Sequence, residues 1–130
     1  MKNLIYLLAV LMSIAPPAIA GDLYLITHPS LEIPSGEVRD VFIGEKLFQS
    51  GVKLMPMDNL AAQKDFLDKV MRLNNVQYNN IWTKKSFRDG LNVPPTRGSD
   101  AEVLAYVRAN AGAIGYVMTP PTGVKTIAKF

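Results

Sequence analysis

The hydrophobic pattern of this chain changes period several times, and that limits its fold more than any other feature. Leu23-Tyr24-Leu25-Ile26 is a short continuous apolar run closed by Thr27-His28-Pro29, the pattern of a strand buried on both faces. Val38, Val41 and Phe42 then return at helical spacing, with Ser35 placed to cap and Gly44 to stop. Residues 52–57 read as a second strand, with Pro56 near its end at a point where its N–H is not needed. Asp58 or Asn59 is placed to cap the next helix. Its Leu60, Phe66, Leu67, Val70 and Met71 form one stripe, and Lys64, Asp65, Asp68 and Lys69 face outward. Residues 76–85 suit a shorter helix with Tyr78, Ile81 and Trp82 inward and Lys84 and Lys85 at its negative end. Residues 88–98 are rich in Gly, Pro and Asn and read as a loop.

Ser99-Asp100-Ala101-Glu102 is a capping box that opens a helix with Val103, Leu104 and Val107 on its buried stripe. Asn110-Ala111-Gly112 ends it. Residues 113–117 form a third strand, in which Gly115 allows a close approach. A turn over 119–123 leads to an edge strand over 124–127. The order strand, helix, strand, three helices, strand, strand predicts an α/β layered domain. It argues against a β-sandwich or a helical bundle.

Residues 1–20 are expected to be an export signal rather than part of that domain. Lys2 supplies a charge, residues 4–12 are uninterruptedly apolar, and Ala18-Ile19-Ala20 is a small-residue cleavage pattern. The apolar run falls short of the ~20 residues that span a bilayer, and Pro16 and Pro17 stop it from lengthening. Cleavage after Ala20 leaves a domain over 21–130, which is 110 residues with 13 basic and 11 acidic side chains. No other apolar stretch in it approaches membrane length. The expected location is therefore periplasmic or otherwise exported, with no membrane span in the mature chain. The chain has no cysteine, so no disulfide stabilises it. A domain of this length packs a sufficient core without one.

Catalysis finds few candidates here. There is one histidine and no cysteine, and no nucleophile–base pairing can be assembled from the inventory. Asp65 and Asp68 lie on an outward helix face, and Asp100 and Glu102 belong to a cap, so neither pair reads as acid and base. No nucleotide, metallopeptidase or hydrolase motif is present. The expectation is no enzyme, no cofactor and no metal. Met55, Met57 and Met71 read as gap-fillers in the core. Lys84, Lys85, Arg88 and Arg97 form a basic region interleaved with Trp82 and Phe87. Without a nucleic-acid module this is a solvated face, or a contact for a protein or an anionic envelope surface, and not a nucleic-acid site.

Taken in order, several blocks resemble a known family. Val38-Arg39-Asp40-Val41-Phe42-Ile43-Gly44-Glu45-Lys46, then Leu54-Met55-Pro56-Met57-Asp58, then Trp82, and last Asn110-Ala111-Gly112-Ala113-Ile114-Gly115-Tyr116-Val117 are similar to the phosphate-binding subunits of ABC transporters. These are type II periplasmic binding proteins. The resemblance runs from about Leu23 to Val117. It implies a three-layer α/β fold and, at this length, a single lobe of a protein that normally has two. The family holds phosphate with an Arg upstream of a Ser-Gly-Thr turn at a helix start. That turn aligns with Leu60-Ala61-Ala62, and the preceding strand carries Asp58 rather than Arg. Losing two hydroxyl bonds to a charged ligand costs roughly 1.5–3 kcal/mol each, so high-affinity phosphate binding does not carry over.

Two functions follow as expectations. The first is an exported anion-binding module that takes phosphate weakly, its donors being the main-chain N–H groups at the helix start Asn59, Leu60, Ala61 and Ala62, with His28 and Ser30 nearby at the end of the first strand. Its partner would be a transporter, or a second copy or another envelope protein that supplies the opposite jaw. The second is a non-catalytic interaction domain of the envelope that has lost the ligand.

Overall fold

The structure is a computed structural model, and it describes residues 21–130. The expected export signal lies outside the described residues. β1 (Tyr24–Thr27) is central to the main sheet and almost wholly buried. Leu23 and Leu25 face one core, and Ile26 faces another. β7 (Ala113–Val117) is buried at all five positions. Its Ile114 and Tyr116 face the first core, and Ala113 and Val117 the second. A strand buried on both faces must be apolar throughout, which is why both runs are so plain in the sequence.

The strand order is β4 (Met55–Pro56), β7, β1, β8 (Lys125–Lys129). β1 runs antiparallel to β7 and to β8, while β4 runs parallel to β7. The expected strand over 52–57 is thus broken up. β2 (Phe48–Gln49) and β3 (Val52–Lys53) form a hairpin through Ser50 and Gly51, both at positive φ. Only Met55 and Pro56 join the main sheet. Met55 N–H donates to Gly112 at 2.8 Å and Met57 N–H to Ile114 at 2.8 Å. Pro56 falls between these two donors on an edge strand, where a missing N–H costs nothing.

The helices cover both faces. α1 (Val38–Phe42) and α2 (Gln63–Phe66, continued by a π-helical stretch over Leu67–Met71) lie on the first face. α3 (Asn75–Asp89) joins them. They contribute Val41, Phe42, Phe66, Leu67, Tyr78 and Trp82 to the first core. α4 (Asp100–Ala109) covers the second face with Val103 and Val107. Helices, sheet and helix make the three expected layers. Gly115 lets α4 sit close, since a Cβ there would lie 2.9 Å from Val103 Cγ1.

Local capping explains the helix limits. α3 begins one residue earlier than expected and runs four residues further. Asn74 Oδ1 accepts from Gln77 N–H at 2.8 Å, and Gln77 Oε1 accepts from Asn74 N–H at 2.9 Å. Such a reciprocal cap contributes about 1 kcal/mol. Ser99 caps α4 as expected, accepting from Glu102 N–H at 3.3 Å. Glu102 turns back to Gly98 N–H at 2.8 Å, one residue beyond the usual partner. The expected loop over 88–98 holds a short strand, β6 (Thr96–Arg97), which pairs in parallel with β5 (Asp58–Asn59).

Candidate functional site

The expected helix start at Asn59 does not form. After β4 the chain stays extended through β5, because β6 offers it a partner. Asp58 N–H donates to Pro95 at 2.9 Å and Leu60 N–H to Arg97 at 2.9 Å. A tight turn follows, in which Ala61 N–H donates to Asn59 Oδ1 at 3.1 Å and Ala62 N–H to the Asn59 carbonyl at 3.0 Å. α2 begins at Gln63 with no side-chain cap. Neither Asp58 nor Asn59 caps it. The N–H groups of Leu60, Ala61 and Ala62 therefore already hold acceptors of this chain.

Asp58 and Asn59 are both buried and point to different partners. Asp58 accepts from Tyr116 Oη at 2.7 Å and from Tyr78 Oη at 2.8 Å. Burial pushes its carboxyl up to about 6, while the hydrogen bonds from Tyr116 and Tyr78 pull the other way. Burial and the nearby Asp58 charge push both tyrosines above their ordinary range. The Tyr116 hydroxyl thus lies inside the first core. Its ring stacks on Phe66 with centroids 3.9 Å apart.

Asn59 organises the end of β7. Its Nδ2 donates to Asp100 Oδ1 at 2.7 Å and to the Tyr116 carbonyl at 3.0 Å. Asp100 Oδ2 in turn accepts from Met118 N–H at 3.1 Å, Thr119 N–H at 3.0 Å and Thr119 Oγ1 at 3.0 Å. Four donors converge on one carboxylate. The sequence marks Asp100 only as part of a cap. Nothing in a separation of eighteen residues signals that Met118 would meet it.

His28 and Ser30 sit elsewhere. His28 N–H donates to Ala113 at 3.2 Å, at the start of β7. Asn59 meets Tyr116 near the end of the same strand. Three residues of strand separate those points, ~10 Å at ~3.3 Å per residue. Hydrogen bonds of ~3 Å to one small anion do not bridge that gap. The reason is strand direction. A ligand mouth at the carboxyl ends of strands belongs to parallel sheets, and β1 runs against β4 and β7. His28 and Ser30 instead close their own turn, with Nδ1 and Oγ 2.7 Å apart and Ser30 N–H donating to Nδ1 at 3.2 Å.

The other expected contacts divide in two. Tyr78 and Trp82 are core residues, and Trp82 Nε1 donates to the Phe42 carbonyl at 2.9 Å. Lys85 pairs with Glu45 at 2.8 Å, which holds the Glu45 carboxyl below its usual range. Arg97 lies over the Tyr106 ring, 5.9 Å from its centroid. Lys84 and Arg88 are exposed and enter no ion pair among the described residues. Those residues hold no cluster of three or more His, Cys, Asp or Glu side chains. No helix among them is long and apolar enough to cross a membrane.

No protein-family model matches the chain, and no curated protein matches it by sequence. Among solved structures, PstS from Borrelia burgdorferi aligns with 75% of this chain and 41% of its own at 18% identity, with a TM-score of 0.47. An ABC-type phosphate transport receptor from Vibrio cholerae aligns at 9% identity with a TM-score of 0.51. That alignment covers 82% of this chain and 46% of the receptor, so the chain spans less than half the receptor's length. What is shared is the fold: this chain is a three-layer α/β domain that resembles part of the receptor.

Proposed function

We propose that this protein is an exported, non-catalytic interaction domain of the envelope, built on a binding-protein lobe whose oxyanion site its own chain has taken over. One observation carries the reading. The N–H groups of Leu60, Ala61 and Ala62 already donate to Arg97 and Asn59. An incoming phosphate would have to displace each of those acceptors, and replacing an existing hydrogen bond by another gains little. It would also meet Leu60, which is 67% exposed where the resembling family has a hydroxyl. The Asp100 carboxylate, held by Met118, Thr119 and Asn59, repels a second anion nearby.

In this reading His28, Ser30, Asn59, Leu60, Ala61 and Ala62 hold the fold and its turns rather than a ligand. Resemblance to a transport receptor supplies the scaffold, and function rests on the surface that the scaffold presents. Isothermal calorimetry with phosphate and with sulfate tests it. The expected result is no heat of binding up to millimolar anion. Saturable heat at micromolar phosphate would overturn the reading and restore an anion-binding module.

A further inference from the structure

The outer face of α3 has no role in the anion chemistry above, and it carries features that a folded domain does not need. Phe87 is 91% exposed and Val93, on the following loop, is 52% exposed. Between them runs an open groove of about 600 Å³, floored by the edge of Trp82 and lined by Asn79, Thr83 and Ser86. Lys84 and Arg88 lie one turn apart along the helix, beside Phe87. Neither enters an ion pair among the described residues, although Arg88 is near enough to Glu45 to help hold its carboxyl low. Lys85, on the inner side, is already neutralised by Glu45. The groove is also firmly supported from beneath. Trp82 is pinned through Nε1 to Phe42, and Gly44 (φ 75°) packs so closely that a Cβ there would lie 2.9 Å from Trp82 Cη2.

Resting on the interaction-domain reading, we propose that this groove docks an acidic segment of a partner protein bearing one large apolar side chain. The apolar side chain fits between Phe87 and Val93 over Trp82, the kind of aromatic anchor point that dominates protein interfaces. Acidic residues flanking it meet Lys84, which enters no ion pair among the described residues, and then Arg88, whose charge Glu45 already feels from a distance. Asn79, Thr83 and Ser86 offer hydrogen bonds to a peptide main chain. A second copy of this chain is an alternative occupant, and a dimer in analytical ultracentrifugation that Phe87→Ser dissociates would overturn the proposal. A lipid surface fits poorly. Interfacial helices present a broad apolar face, whereas Phe87 stands here among Asn79, Asn80, Thr83, Lys84 and Ser86.

Random-peptide display on the purified protein tests the proposal, with binding of the enriched peptides followed by fluorescence of Trp82, the chain's single tryptophan. The expected outcome is enrichment of acidic peptides with a shared aromatic or large aliphatic residue. Their affinity should fall by about tenfold or more in Phe87→Ser and again in the Lys84→Glu, Arg88→Glu double variant. All three positions are exposed, so the variants keep the fold, and circular dichroism checks that they do. Enrichment of no common motif, or of peptides that bind both variants unchanged, would overturn it. So would a Trp82 response to equimolar phosphatidylcholine and phosphatidylglycerol vesicles in the absence of any peptide response. A negative result here with silent calorimetry leaves the interaction-domain reading in place on another surface. Phosphate heat alongside peptide binding removes that reading and leaves the groove.

Discussion

The polar end of β7 and the outer face of α3 handle their hydrogen-bonding groups in opposite ways. At β7 each donor finds an acceptor within the chain. Asp58 holds two tyrosine hydroxyls, Asp100 holds four donors, and Asn59 joins the two clusters by sequence and by its amide. On α3 a phenylalanine and two cations face solvent, and the cations enter no ion pair among the described residues. A buried polar group left unpaired is costly, so the first region is closed to newcomers by the same bonds that hold it together. An exposed one is already satisfied by water, so the second region is free to exchange that water for a partner. The potential for binding therefore lies on the helix and not at the strand ends.

The largest expected effect probes the closed region through pH. Asp58 has an ordinary carboxylate value of 3.8 when unfolded and about 6 when folded. The folded state thus binds its proton more tightly. Stability from this group is fully present below about pH 4 and is lost as the pH rises through 6, a change of about 3 kcal/mol. Asp58→Asn, which cannot ionise, should remove that slope from urea midpoints measured between pH 4 and 7. An unchanged slope would mean that Asp58 is not the group responsible. Glu45 runs the other way, since its lowered value gives stability that disappears on acidification.

A somewhat smaller effect is expected from Asn59→Ala. It leaves Ala61 N–H, the Tyr116 carbonyl and one oxygen of Asp100 without their present partner. Urea unfolding should show a loss of about 2 kcal/mol. A neutral result would mean that water replaces the amide and that this end of the sheet is more open than its bonds imply. The smallest change belongs to Phe87→Ser, expected to stay within about 0.5 kcal/mol of the parent because the ring is solvated. A marked loss of stability would show Phe87 to be a packing residue and would erase the contrast between the two regions.

Much of the fold is legible from apolar periodicity. Leu23 to Ile26 and Ala113 to Val117 announce buried strands because both of their faces must be apolar. Ser99 and Glu102 announce α4 because capping is local chemistry between residues three apart. The candidate site was far less legible. Asp58 follows a strand and precedes an apolar stripe, which is what a cap looks like in sequence. It became a buried acceptor because Pro95 captures its N–H and two tyrosines twenty and fifty-eight residues away converge on its carboxyl. His28 stands at a strand end, but the end of a strand that runs the wrong way relative to β4.

Composition and spacing alone determined the layered α/β class, the strands and helices that face the core, and the absence of cysteine chemistry. Each of these depends on residues close together in the chain, where side-chain period and burial are tied by backbone geometry. Tertiary structure decided strand direction, the pairing of β5 with β6, and the partners of Asp58, Asn59 and Asp100. Those depend on which distant segments meet, and a local pattern of apolar and polar residues holds no record of direction or of long-range partners.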